Sequence, residues 1–531
     1  MIEVLNGTVV YLLRRTWMTI ILLTFLFSPI MFNFGGHVSK DTAETQRYSV
    51  VSSVDSLFLR GPTVNLVTNH SALIFWKTDG MTNASVRYGL NESVMEVAEN
   101  STLDTEHRVN LDGLSTDTKY YYKVISNGTE SSVYSFLTAP ADGDEFKVII
   151  VGDNRPSSDS VIQPAQFEQL AQMIAQEQPH LVLMTGDYVL QVTEDHAQNL
   201  EAWEAFTNIT DTIGHYTPIY ATIGNHDTGA RTGILRLEYF FDAFEQFDEP
   251  STYFAFDYAG VHFVILNTEE MGLEGRITGA QYTWLVNDLE STDCDMKVIV
   301  GHRPMYPLSH IGDSIDSEPE ERAALQELFE SNNVTMFVSG HDHLFNRMTV
   351  NGMVHIISGG GGAPPYNTPW GGAFYHYVRT EMSHDLVNIT AVKLDGSVGH
   401  HYQLPYDGPI EISLRVLANT STKRVGSMPE IYFSEIPQEK YYSWDMGTNL
   451  TTLTGIPNEN GLHTLDVYAK NSDDVWSHER YVFTAVGATT STTTTTSQPT
   501  GDGSIDPLFL FGAISIAGVT AVVVIIMIRR R

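Results

Sequence analysis

Five apolar runs in this chain end alike, in a glycine followed at once by a side chain able to bind a metal ion. They are VIIVGDNR with Asp153, VLMTGDY with Asp187, ATIGNHD with Asn225 and His226, VIVGHRP with His302, and FVSGHDH with His341 and His343. Carboxylate, amide and imidazole donors suit Mn, Fe or Zn and argue against a soft thiolate site. A carboxylate among them can bridge two ions about 3.5–4 Å apart, the spacing of two-metal hydrolases. One Gly-Asp pair after a strand arises by chance; five such ends in order do not. His341 and His343 stand one residue apart, so their rings share a face of a strand or converge from a sharp loop.

What must hold these ends together is an alternation of strand and helix beginning at Phe146. FKVIIVGD and HLVLMTGD read as buried strands, with AQFEQLAQMIAQEQ between them as an amphipathic helix. PIYATIGNHD, VHFVILNTE, AQYTWLVNDLE, MKVIVGHRP, ERAALQELFESNN and TMFVSGHDH continue the pattern of a layered α/β domain. In open α/β sheets the carboxyl ends of the strands line one crevice, where five such ends can converge. The glycines are expected to turn the backbone sharply there and let the ligands close in.

The order GD, GD, GNHD, GH, GHxH resembles that of calcineurin-like metallophosphoesterases. With YFAFDYAGVHFVILNTE, QYTWLVNDL, VGHRPMY, SGHDH and the Gly-rich IISGGGGAPPY, it is similar to the purple acid phosphatase branch over roughly residues 60 to 400. The resemblance implies an α/β four-layer sandwich, two β-sheets flanked by helices. It implies one ion held by Asp153, Asp187 and His343, and a second held by Asp187, Asn225, His302 and His341, with Asp187 bridging. A hydroxide between the ions would attack a phosphate ester, His226 would be the general acid, and Asp227 would orient its ring. Two departures follow. Where many relatives carry a histidine this chain has Arg155, and where the purple enzymes have the tyrosine of GDxxY it has Leu190, with Tyr188 the only tyrosine nearby. A guanidinium has no lone pair to give a metal, so Arg155 is expected to contact substrate phosphate, or else to pair with a carboxylate such as Asp159. The first ion then lacks its usual fourth protein ligand, and the identities of the two ions (Fe, Mn or Zn) stay open.

Around this block, residues 55–140 contain ALIFWKT, ASVRYGL, EHRVNLDGL and KYYYKVIS, aromatic and β-branched runs broken by Asp-Gly and Asn-Gly. They read as a small β-sandwich, and LDGLSTDTKYYYKV resembles the fibronectin type III corner that a tyrosine pins. The catalytic block is expected over 143–404 and a second, Ig-like β-sandwich over 405–487. Residues 488–506 form a Thr-rich stalk, and 507–528 an apolar run long enough as a helix to cross a bilayer core of about 30 Å. The Arg tail 529–531 would stay in the cytoplasm. Residues 1–48, with Arg14 and Arg15 before TWMTIILLTFLFSPIMFNF, read as a cytoplasmic start and a signal peptide or signal anchor.

A chain of 531 residues needs several domains, and a net charge of −34 excludes nucleic acid as a partner. Sequons stand at Asn69, Asn83, Asn91, Asn100, Asn127, Asn208, Asn333, Asn388, Asn419 and Asn449, where chance pairing would give about four. The single cysteine, Cys294, rules out intrachain disulfides and reads as an ordinary buried thiol. These features predict a membrane-anchored extracellular phosphoesterase. The alternative is a surface adhesin or sugar-binding protein carrying a degenerate phosphatase domain, favoured by the incomplete first site and the two β modules.

Overall fold

The run FKVIIV forms strand Phe146–Val151, buried at every position except Lys147. A strand so apolar must be covered on both faces, and in this computed structural model it is. The structure describes residues 57–486 apart from 158–160, 230–234, 248–250, 369–371, 406–410, 416–421, 425–427, 458 and 472–475, together with short terminal strands. The chain divides into two compact units, Ser52–Thr489 and a second made of Met1–Val51 with Thr490–Arg531.

In the larger unit, two six-stranded sheets form the middle of the α/β domain. The first runs in the order Ile219–Ala221, Leu181–Met184, Phe146–Val151, His376–Met382, Val387–Lys393, Val398–Leu404. The second runs Phe254–Tyr258, Val261–Ile265, Met296–Val300, Met336–Ser339, Met353–Ser358, Phe345–Val350. The strands that carry the motifs pair in parallel within each sheet. Alternation along each strand divides its side chains between two cores. Val148, Ile150, Phe263, Val298, Val300 and Val338 pack between the sheets. Ile149, Val151, Val182 and Met184 face helices through Phe167, Leu170, Ile174 and Phe206. On the other side Val264, Ile299 and Phe337 meet Leu285, Leu289, Leu325 and Phe329. The result is helix, sheet, sheet, helix: the four layers that the resemblance implied.

The helices show why they dock. Ala165–Glu177 buries Phe167, Leu170, Ala171 and Ile174, the i, i+3, i+4, i+7 stripe of an amphipathic helix. His196–Gly214 begins on Asp195, whose side chain accepts from the backbone N–H of Ala197 and Gln198.

The N-terminal module pairs Phe58–Asn65, Ser71–Asn91, Val94–Asp112, Lys119–Ser126, Thr129–Glu130 and Tyr134–Leu137 into one six-stranded sheet around Trp76, Val86, Leu111, Tyr122 and Phe136. Its corner is held by Tyr120, whose hydroxyl oxygen accepts from Ser115 N–H at 3.0 Å. Cationic residues on this module grip acidic and carbonyl groups of the α/β domain. Arg108 Nε donates to Glu245 Oε2 at 2.6 Å, and the Arg60 guanidinium donates to the carbonyls of Asp242 and Ala243 at 2.7 and 2.6 Å. The C-terminal module sets a pair of strands, Ile412–Arg415 with Glu430–Phe433, against a four-stranded sheet around Leu414, Phe433, Leu465, Val467 and Phe483. It joins the α/β domain through Asn351 N–H to Phe433 O at 3.1 Å and through Arg347 Nη2 to Glu411 Oε1 at 3.0 Å.

Two expectations come out differently. Within 507–528, where the sequence predicts a membrane-crossing helix, the structure has antiparallel strands Leu510–Ile516 and Val519–Met527, in keeping with the β-branched run VTAVVVIIM. Among the described residues no helix is long and apolar enough to cross a membrane. In this unit five strands are described, in the order Glu3–Leu5, Thr8–Leu12, Thr19–Leu23, Val519–Met527, Leu510–Ile516. The stalk 488–506 lies outside the described residues. Cys294 is half-buried rather than buried.

Candidate metal centre

Strand ends from both sheets meet in one place. The first sheet contributes Asp153, Asp187 and Asn225, each just past a strand; the second contributes His302, His341 and His343. All six are buried. The second sheet is stitched at this edge by Gly340 N–H donating to His302 O at 2.9 Å, and the first by Asp153 N–H donating to Gly186 O at 2.9 Å.

The sharp turns expected of the glycines are made largely by the ligands themselves. Asp153, Asp187 and His341 have φ of 56°, 61° and 66°, a left-handed conformation that costs a non-glycine residue about 1–3 kcal/mol and clusters at functional sites. The glycines serve close approach instead. A Cβ on Gly340 would stand 2.3 Å from Asp153 Oδ2, and one on Gly224 2.1 Å from the Asp187 nitrogen.

His302 Nδ1 donates to Thr185 O at 2.7 Å, which leaves Nε2 as a bare lone pair. That lone pair faces Asn225 Oδ1 at 2.9 Å and Asp187 Oδ1 at 3.4 Å. His341 Nδ1 lies 3.0 Å from Asn225 Oδ1 and 3.2 Å from His302 Nε2. Lone pairs crowded in this way call for a shared cation, and Asp187, Asn225, His302 and His341 are the four donors of the expected second site. On the first side, His343 Nδ1 donates to Pro364 O at 3.2 Å and its Nε2 faces Asp153 Oδ1 at 3.5 Å. Asp153 Oδ1 is buried without a hydrogen-bond partner, while Oδ2 accepts from His341 N–H at 2.9 Å. Donor atoms of Asp153, Asp187 and His302 all lie within 4.8 Å of one another.

Electrostatics keep the three histidines and Asp187 in metal-binding form. Burial lowers His302 and His343 to about 4, with Arg155 adding to the effect on His343, and burial with His302 lowers His341 well below the ordinary imidazole value. Burial opposes ionisation of Asp187, but His226, His302 and Arg155 together hold its carboxyl well below the usual range. Burial and the neighbouring Asp187 charge push Asp153 well above it.

The remaining sequence candidates are placed as follows. His226 is half-buried beside the cluster; its Nδ1 donates to Leu190 O and its Nε2 stands 3.8 Å from Asp187 Oδ2. Asp227 does not orient that ring. Its carboxylate accepts from the backbone N–H of Asp187, Tyr188 and Gly224, at 2.9, 2.8 and 2.9 Å, and so shapes the loops that carry the ligands. Arg155 pairs with Asp187, Nε to Oδ2 at 3.1 Å, whereas Asp159 lies outside the described residues. Tyr188 is fully buried among Trp203, Phe206, Phe240 and Phe244, and its hydroxyl donates to Thr222 O at 2.8 Å, so it is no metal ligand.

Sequence reasoning missed three supports. Asp342, between the two GHxH histidines, accepts from the backbone N–H of Leu308, Ser309 and His310 and from His310 Nδ1 at 2.8 Å. It thereby places the His310 ring 4.2 Å from that of His341. Nothing in the local sequence marks His310, eight residues past His302 in a loop. Tyr366 stacks on His343 at 4.3 Å. Arg303, next to His302, makes a buried two-pronged pair with Glu269, both contacts 2.8 Å. Burial pushes Glu269 up to about 7 against the pull of Arg303. Glu269→Ala leaves the buried Arg303 guanidinium only its Nη1 contacts with Asp313 and is expected to destabilise the α/β domain by about 3 kcal/mol, read as a lowered denaturation midpoint. An unchanged midpoint would show that Asp313, which the guanidinium already touches, suffices to hold it.

The residues therefore fit a pair of ions, unequally: four donors for the second, three for the first. Residues 146–345 match the calcineurin-like phosphoesterase family, and residues 60–138 match the purple acid phosphatase N-terminal domain. Purple acid phosphatase 23 of Arabidopsis thaliana is 25% identical over 307 residues, 50% of this chain and 64% of that protein. Fe(3+)-Zn(2+) purple acid phosphatase 12 of the same plant is 23% identical over 340 residues, covering 60% of this chain and 68% of that protein. Probable inactive purple acid phosphatase 9 is 26% identical over 282 residues, 45% of this chain and 42% of that protein. Among solved structures, the purple acid phosphatase PPD1 from yellow lupin (Lupinus luteus) seeds superposes with a TM-score of 0.52 at 21% identity, covering 64% of this chain and 73% of that one. PhoD superposes with a TM-score of 0.53 at 13% identity, covering 66% of this chain and 90% of that one.

Proposed function

We propose that this chain, in which a calcineurin-like phosphoesterase domain follows a purple acid phosphatase N-terminal domain, hydrolyses phosphate esters outside the cell while anchored to its membrane. One relative is named a probable inactive phosphatase, so likeness alone does not decide for activity. The observation that carries the reading is the complete second-site donor set, with the His302 ring nitrogens already assigned by Thr185 O.

Bound ions at this centre would acidify a water and offset the charge of the phosphate. The chain's residues do the rest. Thr185 and Pro364 carbonyls fix the His302 and His343 rings, so no rotation is needed on loading. Asp187 turns Oδ1 toward His302 and Oδ2 toward Arg155, a carboxylate presented to both halves of the site. His226 stands beside Asp187, where a ring nitrogen can pass a proton to the leaving oxygen.

The external location rests on sequence and surface. Asn69, Asn83, Asn91, Asn127, Asn208, Asn333 and Asn449 are exposed and Asn100 and Asn388 half-buried, so none of the described sequons is closed to a glycan. The apolar length of the run 507–528 before the Arg tail, and not the strands described there, is what supports it as the proposed anchor. Deleting residues 507–531 should release the protein into the medium, and treatment with a glycosidase should increase its gel mobility.

The test of activity uses the full-length chain in detergent, loaded with Mn, Fe or Zn, on an aryl phosphate, an aryl diester and a pyrophosphate. Hydrolysis of any of these carries the proposal. Metal-loaded protein inert on all three leaves the adhesin reading.

A further inference from the structure

Arg155 stands where the sequence pattern leads one to expect a ligand, and its contact is specific. Asp187 has two carboxylate oxygens and the centre has two halves. Oδ1 faces the second half, 3.4 Å from His302 Nε2. Oδ2 is the oxygen this leaves for an ion in the first half, and it already accepts from Arg155 Nε–H at 3.1 Å. The arginine is held there from behind: its backbone N–H donates to Asp187 O at 3.1 Å, and Nη1 donates to Pro156 O at 3.1 Å. Its side chain is only 13% exposed, so water screens the charge poorly. The other two donors of the first half, His343 Nε2 and Asp153 Oδ1, face each other at 3.5 Å, with Asp153 Oδ1 buried and unpartnered. Both feel the guanidinium charge. Leu190 supplies no side-chain donor, and its carbonyl is engaged by His226.

We propose that Arg155 is a built-in competitor for the first metal ion: its guanidinium occupies the outer oxygen of Asp187, so the chain holds one ion tightly in the four-donor half and a second only by working against that fixed positive charge. A guanidinium is always protonated, so no pH change removes the competition. The centre would then fill in order, second half first, and become dinuclear only when free metal is plentiful. This rests on the proposed metal centre but not on its catalytic activity, because the readout is metal bound rather than phosphate released.

Metal-free full-length protein is titrated with Zn or Mn, and bound ion is counted by elemental analysis after equilibration at set free-metal concentrations. Wild type should show one tight equivalent and a second at about 10–100-fold higher free metal, the range by which neighbours of a ligand alter affinity. Arg155→Met, similar in length but uncharged, should tighten the weak equivalent about tenfold or more while leaving the tight one in place; Arg155→Gln repeats the test should the Met variant misfold. His343→Ala should remove only the weak equivalent, and His341→Ala the tight one. Two equivalents of equal affinity in wild type, or an unmoved weak equivalent in both Arg155 variants, overturns the proposal. A protein that is inert on phosphate esters yet fills in this order would sink the phosphatase reading and leave this one standing.

Discussion

On the proposed function, His302→Ala is expected to strip the tighter metal ion and lower kcat/KM by about 10³-fold or more, since a bound ion supplies several kcal/mol of transition-state stabilisation. The reason lies in how little else that ring does. Its Nδ1 hydrogen bond to Thr185 O is a tether, and its Nε2 is a lone pair aimed at Asn225 and Asp187. Alanine leaves a buried gap in which a water could replace one contact but not the fixed geometry. His341→Ala should behave likewise, with an added cost because residue 341 sits at φ 66°. His341→Asn is the informative companion: asparagine tolerates the left-handed conformation and offers an oxygen, so it should fold better than the alanine variant and recover part of the metal. Elemental analysis gives the ion content, and circular dichroism separates misfolding from ligand loss. Turnover that survives loss of the ion would make the metal structural and send the catalytic assignment elsewhere.

These ligands were legible because a buried strand followed by glycine and a donor is a pattern with few other uses, and because parallel strands bring their carboxyl ends together. The four layers were legible for the same reason: FKVIIV, HLVLM and MKVIV are too apolar to be covered on one face only. What the sequence did not disclose were contacts made across the fold. Asp227 beside His226 suggested a ring-orienting pair, yet its carboxylate turns inward to four backbone N–H groups of two loops. Arg155 suggested a phosphate contact, and nothing local indicated that Asp187, 32 residues away, would be its partner. His310 is placed by Asp342, again 32 residues away in the chain. Adjacency in sequence says which residues share a loop; it does not say which way each side chain points.

His226→Ala is expected to keep both metal equivalents and lose about 10²–10⁴-fold in rate, the usual worth of one positioned proton donor. Its ring is fixed by Nδ1 on the Leu190 carbonyl, which turns Nε2 toward Asp187, 3.8 Å from Oδ2. A donor there matters in proportion to how badly the leaving oxygen needs a proton. The loss should therefore be near its full size on alkyl phosphates and shrink toward unity on aryl phosphates whose phenolates leave unaided. His310 is the rival donor, a third exposed and placed by Asp342 beside His341. His310→Ala, measured on the same leaving-group series, decides between them. A loss that depends on the leaving group in His226→Ala and is uniform in His310→Ala assigns the acid to His226. The reverse pattern moves the acid to His310 and leaves His226, through its backbone N–H to Asp187 Oδ1 at 3.0 Å, as a residue that positions that carboxylate.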